Sequence, residues 1–200
     1  FIIILSPSGA YYSHGFAPVA LKVEREYVRA GRGGTGAYKV IGNYAASIKA
    51  GEEAAALGYD QVLWLDGQSR RYVEEVGSMN IFFVLDGKVI TPELNGTILP
   101  GITRDSVIKL LKSKGIPVEE RRIDIKEIID GAKSGALTEA FGSGTAAVIS
   151  PVDRLGDDGR DYVIGKVGAV GKIAQMLFDE LPAIQTGKIP DPFSWVNKIV

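Results

Sequence analysis

Apolar runs of strand length, each ended by a glycine-bearing turn, recur along the chain and commit it to a fold built from short strands. Gln61–Asp66 (QVLWLD) and Met79–Leu85 (MNIFFVL) are rich in β-branched and aromatic residues and too short for buried helices. Asp86-Gly87 follows the second run and leads into Lys88-Val89-Ile90, the strongest short-range signal for a two-residue hairpin. Ala20–Ala30, Arg71–Val76, Pro117–Ile123, Thr138–Phe141 and Thr145–Ser150 add further strands, with Gly142-Ser143-Gly144 read as a turn between the last two and Asp157-Asp158-Gly159 as another. Helical stretches lie between them. Asn43 is expected to cap a helix through Leu57 that Gly58 closes. A second helix follows Leu99-Pro100-Gly101-Ile102-Thr103 and ends at Gly115. Asp124 with Glu127 forms a capping-box pattern for a third, to about Lys133. A fourth follows Lys166 with Val170, Ile173, Ala174 and Leu177 on one face, and Pro182 is expected to break or restart it. Hairpins mixed with crossover helices imply a mixed α+β body of the α/β type rather than a purely parallel sheet.

Composition narrows the chemistry. The 200 residues hold 23 basic and 24 acidic side chains, so the basic excess expected of a nucleic-acid binder is missing. There is no cysteine, which excludes disulfides, thiolate metal sites and a thiol nucleophile; the single histidine, His14, excludes a multi-histidine zinc centre. Phe1–Leu5 (FIIIL) is far shorter than the ~20 residues that span a bilayer, and no basic segment precedes it. It reads as a short buried strand inside a longer polypeptide. No metal, nucleic acid or membrane is expected as a partner, and the expected location is cytoplasmic. Lysine, tyrosine, hydroxyls and carboxylates remain, together with whatever organic cofactor the chain binds.

The 25 glycines are clustered. Gly31, Gly33 and Gly36 match G-x-G-x-x-G, but no helix opens in that loop, and the acids about 20 residues on, Glu52 and Glu53, fall inside a helix, so a dinucleotide reading does not fit. Lys39 stands three residues after Gly36. A lysine there is either a solvated side chain or one that acts as a Schiff-base nucleophile and proton carrier, and this window alone leaves both open.

Six segments settle the resemblance. YVRAGRGGTGAYKVIGNYAAS, QVLWLDG, EEVGSMNIFFV, GTILPGITRDSV, EAFGSGTAAVISPV and AIQTGKIPDPFSWV resemble, in order and spacing, the branched-chain amino-acid aminotransferases, which are fold-type IV enzymes dependent on pyridoxal 5′-phosphate (PLP). The resemblance implies a mixed-sheet pseudo-barrel with surrounding helices, and transfer of the amino group of leucine, isoleucine or valine to 2-oxoglutarate. It also implies that residues 1–200 are the PLP-binding large domain of a two-domain enzyme whose N-terminal small domain is absent, working as a homodimer on amino-acid and 2-oxo-acid substrates.

Site residues follow from the same motifs. Lys39 is implied as the catalytic residue that holds PLP through a Schiff base and then moves a proton. Tyr44 would bond the cofactor's phenolic oxygen. Glu75 would keep the pyridine nitrogen protonated, with Glu74 facing the other way because neighbours on a strand alternate. Ile102 and Thr103, at a helix start where free N–H groups favour an anion, and Thr145 would take the phosphate. Ser78, Thr145 and Ala146 would receive the substrate carboxylate, with Met79 and Tyr11 as weaker pocket candidates. Arg29 reads as structural. Ile41 departs from a glycine usual in the family, which could tighten the backbone near Lys39, and Gly31 from a tryptophan. Two further readings stay beside this one: another fold-type IV enzyme, a D-amino-acid aminotransferase or an aminodeoxychorismate lyase, and a non-catalytic fragment that only binds PLP.

Overall fold

The computed structural model describes residues 1–7 and 15–197. Nine strands form a single sheet in the order β3-β2-β1-β8-β7-β4-β5-β6, with β9 on β8. The strands are β1 (Val19–Val23), β2 (Gln61–Leu65), β3 (Val73–Val76), β4 (Met79–Leu85), β5 (Lys88–Pro92), β6 (Val118–Arg121), β7 (Leu137–Gly144), β8 (Val148–Asp157) and β9 (Arg160–Val163). A further pairing of β3 with β4 closes β1, β2, β3, β4, β7 and β8 into a ring. One edge of β4 serves two neighbours: its start meets β3 through Glu75↔Asn80 and Val76↔Met79, and its end meets β5 through Phe83↔Ile90 to Leu85↔Lys88. β1 runs parallel to β2 and β8, whereas β7 is antiparallel to β4 and β8, so the sheet is mixed as expected.

Alternation along β4 explains its continuous apolar sequence. Ile81 and Phe83 join the barrel core with Leu21, Leu63 and Val152. Phe82 and Val84 face outward and pack under α3 (Ile102–Ser113) and α5 (Lys172–Gln185), against Val107, Leu111, Phe141 and Leu177. Both faces are buried, so no polar alternation is left to read. α2 (Ile48–Ala56) covers the other flank with Ala50 and Ala54 on Trp64 and Val62. α4 (Ile125–Ser134) adds Ile125, Ile128 and Ile129 to the barrel core.

Local chemistry accounts for the elements that differ from expectation. β1 stops at Val23 because the Glu24 carboxylate accepts the N–H groups of Glu26 and Tyr27 and turns the chain. The helix expected over 43–57 is two, α1 (Ile41–Ala45) and α2, and Asn43 is buried within α1 instead of capping it. Gly142-Ser143-Gly144 is strand, and the turn falls at 145–147; the glycines leave room for Met79, whose Cε would lie 3.0 Å from a Cβ on Gly142. α5 runs through Pro182 unbroken, held by buried Leu181 and Ile184 on either side of the missing N–H. Asp124 caps α4 by accepting from Lys126 N–H, but Glu127 pairs with Arg121 rather than completing the box. Phe1–Leu5 is exposed and joins no strand pairing, which corrects the buried-strand reading; without a neighbour an isolated strand has nothing to bond. The Asp86-Gly87 hairpin is as expected, with φ positive at both residues (49° and 75°). Among the described residues no helix is long and apolar enough to cross a membrane.

Candidate active site

The loop carrying Lys39 is held from below by one amide. Asn43 Nδ2 donates to the carbonyls of Thr35 and Tyr38, both at 2.9 Å, and its Oδ1 accepts from the Thr35 hydroxyl. The polar side chain read as a cap thus braces the lysine loop. Gly36 is needed where this loop crosses the 97–99 segment: a Cβ there would lie 2.3 Å from Thr97 O and 2.7 Å from Ala30 Cβ. Ile41 costs this loop nothing, because it is 87% exposed at the start of α1 and its φ is not positive.

Lys39 reaches the mouth of a cleft of about 240 Å³, where its Nζ donates to Tyr44 Oη at 2.6 Å. Glu75, Ser78 and Thr145 line the same cleft with Ile102 and Thr103. Ala146 lies in the adjoining turn but lines a separate apolar pocket with Phe16, Ser150 and Phe178. Met79 does not reach the cleft; it is buried in the barrel against Gly142 and Gly144, which corrects its candidacy. Tyr11 lies outside the described residues.

Glu75 forms the floor. It is 2% exposed, and one oxygen accepts Leu99 N–H at 2.7 Å. The other lies 3.1 Å from Arg29 Nε, off the N–H axis, so the contact is an ion pair without a linear hydrogen bond. Burial pushes the Glu75 carboxyl up to about 7, against the opposing pull of Arg29 and Leu99 N–H, and the Glu74 charge adds to the rise. Glu74 turns away, as alternation requires, and lies in hydrogen-bond contact with the Thr97 hydroxyl.

The far wall suits an anion. Gly101 precedes α3, no side chain caps the helix, and its first N–H groups open into the cleft. Asn80 sets this entrance by donating to Leu99 O at 2.9 Å, and a Cβ on Gly101 would lie 2.2 Å from Asn80 Oδ1. Opposite, Ser143 lines the cleft with its hydroxyl buried and unpartnered.

Three residues of this site escaped sequence reasoning. Arg29 is the counter-ion of Glu75, and it also donates to the carbonyls of Gly36 and Thr97. Asn80 and Ser143 sit next to motif residues, and strand alternation from Glu75↔Asn80 and Asn80↔Ser143 would have pointed to both.

Comparison with known proteins agrees with this geometry. The family model for amino-transferase class IV matches residues 7–155. A probable branched-chain-amino-acid aminotransferase of Staphylococcus aureus (strain N315) is 58% identical over 195 residues, covering 97% of this chain and 54% of that protein. Branched-chain-amino-acid aminotransferase 2 of Bacillus subtilis (strain 168) is 53% identical, covering 99% and 54%. The chain therefore spans about half the length of the curated relatives it matches. Among solved structures, the Escherichia coli branched-chain amino acid aminotransferase superposes with TM-score 0.81 at 33% identity, over 96% of this chain and 60% of that one. The T.th. branched-chain amino acid aminotransferase complexed with N-(5′-phosphopyridoxyl)-L-glutamate superposes with TM-score 0.76 at 34% identity, over 90% and 56%.

Proposed function

The chain belongs to the amino-transferase class IV family, and on that premise we propose that it is the cofactor-binding domain of a branched-chain-amino-acid aminotransferase. The reaction would transfer the amino group of leucine, isoleucine or valine to 2-oxoglutarate with the help of PLP. The observation that carries this reading is Lys39 Nζ, 2.6 Å from the Tyr44 hydroxyl, over a cleft floored by the buried carboxylate of Glu75. The 58% identity to a probable branched-chain-amino-acid aminotransferase supports the substrate class.

The residues fit PLP. A phosphate needs donors, and the wall offers the uncapped start of α3 at Ile102 and Thr103, the Thr145 turn, and the unpartnered Ser143 hydroxyl. When bound, PLP supplies a protonated ring that stabilises negative charge at the substrate carbon. Glu75 would hold the proton on the ring nitrogen. Lys39 would attach the cofactor and, once freed, carry the proton taken from the substrate Cα, a task for an amine close to neutral at the moment of transfer. Tyr44 would orient that amine through the hydrogen bond already present. Ser78 and Thr145 would receive the substrate carboxylate at the rim, with the backbone of Ala146 in the adjoining turn. The working enzyme would be a cytoplasmic homodimer in which residues 1–200 form the large domain beside a separate small domain.

The test uses the full polypeptide. Wild type is expected to show the visible absorbance of lysine-bound cofactor and leucine–2-oxoglutarate transamination, and Lys39→Ala to lose both. Retention of both in Lys39→Ala would overturn the assignment, and preference for D-amino acids in a substrate panel would move it to another member of the family.

A further inference from the structure

The strand under the cleft carries two adjacent buried carboxylates, and a single guanidinium faces them. Glu74 and Glu75 are each 2% exposed, and Arg29 is 8% exposed. Asp66 is the other charged group near Glu74, and its sign is again negative. The exposed Lys39 adds a second positive charge on the Glu75 side only, so Glu74 is the carboxylate left short of a cation, and an uncompensated charge in such surroundings is expensive and takes up a proton instead.

Hydrogen-bond counting identifies the carboxylate that holds the proton. Asn95 Oδ1 accepts Thr97 N–H at 3.0 Å, which fixes that atom as oxygen, the acceptor end of the amide. Thr97 Oγ1 lies 2.6 Å from this same Oδ1 and in hydrogen-bond contact with Glu74 Oε1. A threonine hydroxyl has one proton, and here it stands between two acceptors. Both contacts are satisfied when Glu74 carries a proton, donates it to Thr97 Oγ1, and the hydroxyl donates onward to Asn95 Oδ1. Glu75 has a different set of neighbours, all donors: Leu99 N–H and the Arg29 guanidinium.

We propose that Glu74 is a neutral carboxylic acid in the folded protein, and that this leaves Arg29 as the dedicated counter-ion and positioning residue of an ionised Glu75. The proposal rests on the functional reading for its consequence and on the hydrogen-bond network for its evidence. Burial also raises Glu74 above the ordinary carboxylate range, against Arg29 and the Asn95 amide, and a Thr97 hydroxyl turned toward Asn95 Oδ1 no longer holds the group down as it would while donating to Glu74. A protonated Glu74 takes away a charge that otherwise makes Glu75 harder to ionise. Arg29 then does two things with one group: its Nε faces Glu75, and its Nη2 holds the carbonyls of Gly36, on the lysine loop, and Thr97, on the approach to α3. The carboxylate, the lysine and the anion wall are thereby held in one frame.

Isotope-edited infrared spectroscopy of the cofactor-free full polypeptide at neutral pH reads the proton directly. The expected result is a protonated-carboxyl C=O component that Glu74→Gln removes and Glu75→Gln leaves, beside a Glu75 component that fades as pH rises through about 7. Absence of the first component in wild type, or its loss in Glu75→Gln alone, would overturn the proposal. In the cofactor-loaded enzyme, Glu74→Gln should leave the pH midpoint of the visible band within about 0.3 unit, because glutamine donates to Thr97 as the acid does; an ionised Glu74 predicts a fall of about one unit. Arg29→Met removes a positive charge from beside Glu75 and should raise that midpoint, and Arg29→Lys should bring most of it back. An unchanged midpoint in Arg29→Met would reduce Arg29 to a structural tie and sink its part of the proposal. If no visible band forms in wild type, the aminotransferase reading fails while the infrared result still decides the proton.

Discussion

At the scale of single residues, the site joins groups that are satisfied with groups that are not. Tyr44 and Lys39 satisfy each other, so Tyr44→Phe should leave the fold intact while lowering turnover by roughly ten- to a hundredfold, read as kcat with leucine. Ser143 is the opposite case. Its hydroxyl is buried without a partner, a cost to the folded state, so Ser143→Ala should leave the melting temperature unchanged or raise it while weakening cofactor binding about tenfold, measured by titration of the visible band. A lower melting temperature would mean that the hydroxyl has a structural partner. What was legible in the sequence divides along the same line. Motif residues with a chemical signature, Lys39, Tyr44 and Glu75, line the cleft or stand at its mouth. Arg29 was not legible, because an arginine among apolar residues gives no sign of which carboxylate it will meet 46 positions later in the chain.

At the scale of elements, boundaries follow side-chain bonds that periodicity does not reveal. Turn chemistry was readable at Asp86-Gly87 and at Gly58 after α2, where φ is positive, but not at Arg70 or Val148, whose side chains give no such sign. The division between α1 and α2 was not, because Asn43 could cap a helix or brace a loop, and only the position of Thr35 and Tyr38 decides between the two. Likewise the glycines at 142 and 144 looked like a turn, but they serve the packing of Met79. Two substitutions separate kinds of glycine. Gly36→Ala pushes a methyl group into the Thr97 carbonyl, which is backbone and cannot step aside, so it should destabilise by about 2 kcal/mol or more in denaturant melts. Gly101→Ala clashes with the Asn80 side chain and otherwise makes ordinary contact with Arg104 Cβ, so the fold should survive while cofactor affinity falls. Asp124→Ala removes the N-cap side chain of α4 together with its exposed ion pair to Arg71 and should cost about 1 kcal/mol.

At the scale of the whole molecule, acid stability should rest substantially on one carboxylate. Burial alone would raise Asp66, but the N–H groups of Tyr72, Ser69 and Arg71 and the Ser69 hydroxyl outweigh it and hold the group at about 2. The folded value lies below the ordinary 3.8, so the stabilisation is complete above that pH and is lost as pH falls toward 2. The difference corresponds to roughly 2 kcal/mol. Asp66→Asn should flatten the fall in melting temperature between about pH 4 and 2, and an unchanged acid limb would refute the assignment.

The ring of six strands closes through only two residue pairs, Glu75↔Asn80 and Val76↔Met79. Those pairs flank Gly77-Ser78, so the seam of the barrel and the floor of the cleft are the same few peptide units. Opening the seam would dismantle the site before it melted the core, and a ligand bound across the cleft would act as a clasp on the barrel. Backbone amides of residues 75–80 should then exchange with solvent faster than those of the β7–β8 ladder in the empty protein, and slow the most when the cofactor binds. In this molecule, occupancy of the site and integrity of the barrel would be read from one set of protons.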